Sequence, residues 1–172
     1  KLMKSKENLV FVGMMGSGKS SIGLLIAKKL NLNFIDIDKE IEKELDQSIS
    51  RIFDTKGEEF FRKFEEKITL KKLKLRSSVI SLGGGAFTNK NVRQEVLKNH
   101  ISFWLNLDNE TLLNRIKNSK KRPLVVNSTE NELIDLIKKR SYTYSKALYE
   151  IKCDKLSKNK IVENILKTYE TH

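Results

Sequence analysis

Residues 13–20 read Gly-Met-Met-Gly-Ser-Gly-Lys-Ser, a complete G-x-x-x-x-G-K-S spacing. Glycines at Gly13, Gly16 and Gly18 let the backbone curl until its N–H groups converge on phosphate oxygens, and the helix that follows turns its positive end toward the same anions. From that loop Lys19 reaches β- and γ-phosphates and the Ser20 hydroxyl ligates Mg²⁺, with Ser17 and Ser21 completing the nucleotide-binding set. The motif has meaning only between a strand and a helix. Both are present: the run Asn8-Leu9-Val10-Phe11-Val12 precedes it, and Ile22, Leu25, Ile26 and Leu30 follow at helical spacing. The loop implies a nucleoside triphosphate and leaves the phosphoryl acceptor open.

Other residues bear on that acceptor. Asp36 and Asp38 flank Ile37 at the end of an apolar run. An i,i+2 pair leaving a strand directs both carboxylates to one side. Asp36 then supports Mg²⁺ through its water shell, and Asp38 takes a hydrogen bond, or the proton, from an attacking hydroxyl. Asp38 reads equally well as a helix N-cap ahead of Ile41 and Leu45. Gly83-Gly84-Gly85 is costly in entropy unless something approaches the backbone closely, a ligand or the phosphate loop, although an ordinary strand-to-helix turn has the same composition. Arg140 lies on the apolar stripe Leu133, Leu136, Ile137, where a cation needs an anion. Arg62 lies beside the stripe Phe61, Phe64, Ile68, where it could also simply snorkel. Two arginines on one carboxylate give bidentate recognition of a small organic acid. Arg122 sits in a polar, basic stretch interrupted by Pro123, which reads as a lid over the γ-phosphoryl group. His100 and His172 lack metal-ligand spacing and read as surface residues.

These groups need a scaffold. Apolar runs at 8–12, 33–37, 78–82, 101–107 and 150–153 alternate with helical patterns, the signature of an α/β fold with a parallel sheet. The first run is nearly all apolar, as a central strand requires, whereas 101–107 alternates more. About 40 residues of helical character, 38–77, separate the second and third runs, more than one crossover needs, and form an acceptor-binding segment. A lid region spans 112–128. At 172 residues the chain fits one domain, 1–172. No apolar stretch approaches the roughly 20 residues of a membrane span, and no signal peptide precedes Met3, so a cytoplasmic protein is expected. Cys153 cannot form an intramolecular disulfide and reads as a structural residue of a short strand. The net charge of +12 is spread over most helical segments without an aromatic-interleaved basic ribbon. It favours capture of small anions rather than nucleic acid.

Taken in order, residues 13–20, Phe34-Ile35-Asp36-Ile37-Asp38 running into Ile41-Glu42, Gly57-Glu58 with Phe61-Arg62, the triple glycine, Arg122-Pro123-Leu124 and Arg140 resemble the shikimate kinase family over nearly the whole chain. The resemblance implies a three-layer α/β/α P-loop fold like that of nucleoside monophosphate kinases, with a five-stranded parallel sheet. It implies transfer of the γ-phosphoryl group of ATP to the 3-hydroxyl of shikimate, with Mg²⁺, in a monomer that needs no nucleic acid or membrane. In that reading Lys19, Asp38 and Arg122 are catalytic, Ser20 and Asp36 serve the metal, and Arg115 packs on adenine. Arg62 and Arg140 clamp the shikimate carboxylate, with backbone N–H groups of Gly83, Gly84 and Gly85 completing the site. Two departures stand out. The family often has Arg-x-Pro-x-Tyr where this chain reads Arg140-Ser141-Tyr142-Thr143-Tyr144, so Arg140 is assigned by spacing and by Tyr144, and Lys63 stands where a second arginine commonly follows Arg62.

Overall fold

A computed structural model describes residues 7–118 and 128–172. Five strands, β1 (Leu9–Val12), β2 (Asn33–Asp36), β3 (Ser78–Ser81), β4 (Ile101–Asn106) and β5 (Tyr149–Lys152), pair in the order β2-β3-β1-β4-β5. All four pairings are parallel, with Leu9 opposite Val79 on one side of β1 and Ile101 on the other. Side chains alternate between faces along a strand, so a strand buried at every position is covered on both faces. That holds for β1 and β3 throughout and for β4 as far as Leu105. The expected alternation in 101–107 is therefore corrected: Ser102, its one polar residue among the first five, is fully buried and accepts a hydrogen bond from the Leu148 N–H at 2.8 Å. A single satisfied hydroxyl imitates a solvent face in sequence.

The helices among the described residues are α1 (Lys19–Leu30), α2 (Ile37–Leu45), α3 (Ile49–Leu73), α4 (Lys90–Asn99), α5 (Asn109–Asn118), α6 (Glu130–Tyr144) and α7 (Lys158–Thr171). Helix α1 buries Ile22, Gly23, Ile26 and Ala27, and Gly23 lets it approach the sheet: a Cβ there would lie 3.1 Å from the Phe34 ring. Several helices start on side-chain caps. Asp36 accepts from the Lys39 N–H, Ser48 from Arg51, Asn89 from Val92, Thr129 from Glu132 and Ser157 from Lys160. Each such cap contributes about 1 kcal/mol.

The first of these caps corrects the sequence reading. Strand β2 ends at Asp36 and helix begins at Ile37, so Asp36 is the N-cap and Asp38 lies in the first turn of α2. Residues 38–77 are α2 and α3 plus their connections, helical as expected. Helix α3 breaks at Gly57, whose φ of 87° and ψ of 167° are open to glycine and strained for other residues. The break lets the segment carrying Arg62 leave at its own angle.

Asn8 staples the end of the sheet opposite the phosphate loop. Its side chain donates to the carbonyls of Leu75 at 2.7 Å and Leu73 at 3.3 Å and accepts from the Ser78 N–H at 3.0 Å. Its own N–H donates to His100 Nδ1 at 3.4 Å. His100 is thus not the surface residue expected: its side chain is 6 % exposed, with Nε2 3.3 Å from Glu95. Cys153 is buried just past β5, and burial pushes its thiol up to about 11, consistent with a structural residue. Arg122, Pro123 and the rest of 119–127 lie outside the described residues. The beginning of the expected lid region, 112–118, belongs to α5.

Burial lowers the His100 pKa, Glu95 and Glu7 oppose that shift, and Arg76 adds to it. An imidazole accepting from Asn8 and donating to Glu95 is the neutral form. Since the unfolded chain takes up a proton near pH ~6.5 that the folded chain resists, this stabilisation is present above that value and is lost as pH falls through the lower folded value. Stability to urea should therefore drop from neutral to mildly acidic pH more in the parent than in His100→Gln. Parallel pH profiles for the two proteins would remove His100 from the effect.

Candidate functional site

Beyond the carboxyl end of β1 the chain enters residues 13–18, with φ of 80° at Gly16 and 94° at Gly18, conformations that only glycine adopts freely. Gly18 is the cap residue of α1, so the loop delivers the helix N-terminus, with its unsatisfied N–H groups, to one point. Lys19 is buried and its Nζ donates to the carbonyls of Gly13 at 2.7 Å and Met14 at 2.9 Å. The Ser20 hydroxyl donates to Asp36 Oδ2 at 2.6 Å and lies 3.4 Å from the Ser81 hydroxyl. Arg115 reaches in from α5, donating through Nη1 to the Gly16 carbonyl at 2.8 Å.

A cavity of about 330 Å³ opens here, lined by Gly16, Gly18, Lys19, Ser20, Ser21, Asp36, Asp38 and Arg115, among others. Gly13 and Ser17 do not line it; Ser17 is buried within the loop, with its N–H on the Met14 carbonyl. Asp36 and Asp38 do share this cavity, although one is a cap and the other a helical residue. Chemically the cavity offers backbone donors and an ammonium for phosphates, plus a carboxylate and a hydroxyl in hydrogen-bond contact.

A second cavity, of about 440 Å³, is lined by Arg62, Arg93, Lys139, Arg140, Lys146 and Glu58, with Thr88, Leu136 and Thr143. Arg140 arrives from the buried face of α6, beside Leu133 and Ile137, and is 6 % exposed. Arg62 projects from α3 with Nη1 3.0 Å from Glu65 Oε1 and Nε 3.7 Å from Glu58, its guanidinium 5.3 Å above the Phe61 ring. Sequence reasoning missed Glu65, an acid 3 % exposed. The i,i+3 spacing from Arg62 to Glu65 was the available signal. It also missed Arg93, Lys139 and Lys146, which look like ordinary surface cations until α4, α6 and the turn after α6 are assembled.

The glycine run stands between residues of the two cavities. A Cβ at Gly83 would lie 2.8 Å from Glu65 Oε2 and 2.9 Å from Asp38 Oδ1. At Gly84 it would lie 3.3 Å from Arg140 Nη1 and 3.5 Å from the Met15 nitrogen, and at Gly85 2.5 Å from Arg62 Nη1. The phosphate loop is a neighbour, as expected, yet most of the room is taken by the charged side chains themselves. Of the expected site residues, only Arg122 lies outside the described residues.

Comparison with known proteins gives a consistent result. A family model described as shikimate kinase matches residues 15–170. The chain is 38 % identical over 172 residues to a shikimate kinase of Bartonella henselae, covering 98 % of this chain and 82 % of that one. It is 39 % identical over 160 residues to a shikimate kinase of a Sulfurihydrogenibium species, covering 93 % and 96 %. Its fold is similar to that of a shikimate kinase from Acinetobacter baumannii solved in complex with shikimate, with a TM-score of 0.92 at 30 % identity over 98 % of this chain and 96 % of that one. A deoxyadenosine kinase from M. mycoides, at 17 % identity over 96 % of this chain and 100 % of that one, shares the fold with a TM-score of 0.62.

The glycine contacts make an ordered prediction. Gly83→Ala forces a methyl group against two carboxylate oxygens, one of them on the buried Glu65, and should cost about 1–3 kcal/mol in urea unfolding. Gly84→Ala meets its neighbours at wider separations and should cost less. Equal losses at the two positions would contradict the geometry.

Proposed function

Because the chain belongs to the shikimate kinase family, we propose that it transfers the γ-phosphoryl group of ATP to the 3-hydroxyl of shikimate, giving shikimate 3-phosphate on the route to chorismate and the aromatic amino acids. The observation that supports this most is the glycine run, with Asp38 of the phosphate-loop cavity against Gly83 and Arg140 and Arg62 of the second cavity against Gly84 and Gly85. A molecule held by its carboxylate at the arginines extends its hydroxyls toward Asp38 and the phosphate loop.

Phosphoryl transfer asks the protein mainly for positioning and charge. Lys19 moves from the loop carbonyls to the β/γ-phosphates, and the amides of Gly16 and Gly18 with Ser21 hold the rest of the chain of phosphates. Mg²⁺ is the cofactor, and the donors fit it. Ser20 and Asp36 provide two hard oxygens in contact, and Mg²⁺ characteristically takes one or two protein ligands beside phosphates and water. When bound, the ion neutralises charge on the phosphates. Asp38 accepts the proton of the attacking hydroxyl. Arg62 and Arg140 clamp the carboxylate by bidentate pairing, and backbone N–H groups of Gly83–Gly85 complete that contact. Arg115 packs on adenine and Arg122 closes on the γ-phosphoryl group, a role worth about 10³–10⁵ in rate elsewhere.

The same reading takes 1–172 as a single kinase domain with 112–128 as its lid region, acting as a monomer in the cytoplasm, where ATP is supplied, without nucleic acid or membrane partners. Among the described residues no helix is long and apolar enough to cross a membrane.

ADP release from ATP-Mg²⁺ should be fast with shikimate and near background with gluconate or nucleoside monophosphates. Turnover on one of those instead would reassign the acceptor. Asp38→Asn should lower kcat by roughly 10²–10⁴ with little change in the KM for ATP; unchanged kcat would take Asp38 out of the mechanism. Arg62→Ala loses a charge-assisted contact of about 1.5–3 kcal/mol, so the KM for shikimate should rise roughly 10- to 100-fold. An equal rise in the KM for ATP would mean that Arg62 does not hold the acid.

A further inference from the structure

Tyr144, one helical turn beyond Arg140 on α6, takes no part in the steps above. It is 1 % exposed, its ring tilted against Trp104 of β4 with 6.2 Å between centroids. A phenol hydroxyl at such depth requires a partner. The hydroxyl donates to the carbonyl oxygen of Gly84, and its oxygen also lies 3.8 Å from the Met14 sulfur in the phosphate loop. One O–H carries one proton and a thioether accepts weakly, so the proton belongs to the Gly84 carbonyl.

The Gly84 carbonyl and the Gly85 N–H belong to one planar trans peptide and point in opposite directions. Holding the carbonyl on the tyrosine side therefore fixes where the Gly85 N–H points. Neither glycine has a side chain to restrain that peptide, and glycine is the residue for which peptide rotation is cheapest. The hydroxyl supplies the restraint, directly beside the guanidinium groups of Arg140 and Arg62.

We propose that Tyr144 is a positioning residue for the acceptor: its hydroxyl holds the Gly84–Gly85 peptide in the orientation in which the Gly85 N–H joins Arg62 and Arg140 on one carboxylate. This rests on the acceptor reading of the preceding subsection. The phosphate loop keeps its own contacts, the Ser17 N–H to Met14 and Lys19 to Gly13 and Met14, so losing the hydroxyl affects the acid more than the nucleotide.

Tyr144→Phe keeps the ring and removes the hydroxyl. Its KM for shikimate should rise about ten-fold, while the KM for ATP stays within about two-fold. Ile137→Val, which loosens the same buried helix face without touching the glycines, should leave both KM values near those of the parent. An unchanged KM for shikimate in Tyr144→Phe, or an equal rise for both substrates, overturns the proposal. Amide hydrogen exchange gives a readout independent of substrate. In Tyr144→Phe the segment 83–86 should exchange about ten-fold faster, with β1 and α1 unchanged, and unaltered exchange at 83–86 overturns the proposal. If the parent protein turns over no shikimate, the acceptor reading has failed, and the exchange experiment still decides whether Tyr144 restrains the peptide.

Discussion

The molecule is organised around a shortage of space at the carboxyl end of β3. Three consecutive residues without a Cβ allow Asp38, Glu65, Arg140 and Arg62 to reach one stretch of backbone, at separations where a methyl group would meet three of the four within 3 Å. Close approach of this kind costs conformational entropy in the unfolded chain and removes packing area. It also sets charged groups from α2, α3 and α6, far apart in sequence, against a common rigid reference. The parallel sheet makes the reference rigid: β3 is buried along its length and lies between β2 and β1, and Leu82 donates its N–H to the Phe11 carbonyl before the glycines begin.

Charge is distributed in two ways that differ in consequence. Surface pairs such as Lys63 with Glu59 and Lys167 with Glu163 are well exposed and add little to stability. The cations at the site are another matter. Lys19 and Arg140 are buried, and a buried cation is tolerable only with oxygen atoms around it. Lys19 meets that need with loop carbonyls, and Arg62 meets a similar one with Glu65. Arg93, Lys139 and Lys146 add positive charge to the second cavity, and the excess of cations over the whole chain raises the local concentration of anionic substrates before any specific contact forms.

Rigid and adjustable parts are separated along the chain. The phosphate loop is tied to β1 and α1 within a few residues. The segment carrying Arg62 follows the break at Gly57 and is anchored by Phe61 and Glu65, which are buried. Such an arrangement lets the angle at which the Arg62-bearing segment leaves Gly57 be set apart from the geometry of the phosphate loop.

What the amino-acid sequence determined by itself is everything encoded within a few neighbouring residues. The phosphate loop, the strand before it and helix after it, the five apolar runs that became strands, and the stripe that buries Arg140 all rest on local chemistry: glycine conformations, capping, and periodicity of burial. The tertiary structure decided what depends on contacts between distant segments. Whether Asp38 ends a strand or begins a helix turned on where β2 stops pairing with β3, and it is Ser81 opposite Asp36 that closes that ladder. Ser102 looked like a solvent-facing residue until the Leu148 N–H was brought to it, and His100 like a surface residue until Asn8 and Glu95 enclosed it. Tyr144 and the cations Arg93, Lys139 and Lys146 meet their neighbours only once distant elements pack together, whereas Glu65 also pairs with Arg62 on its own helix. A short string of residues specifies its own backbone conformation; which groups meet across it is set by the packing of the sheet and helices as a whole.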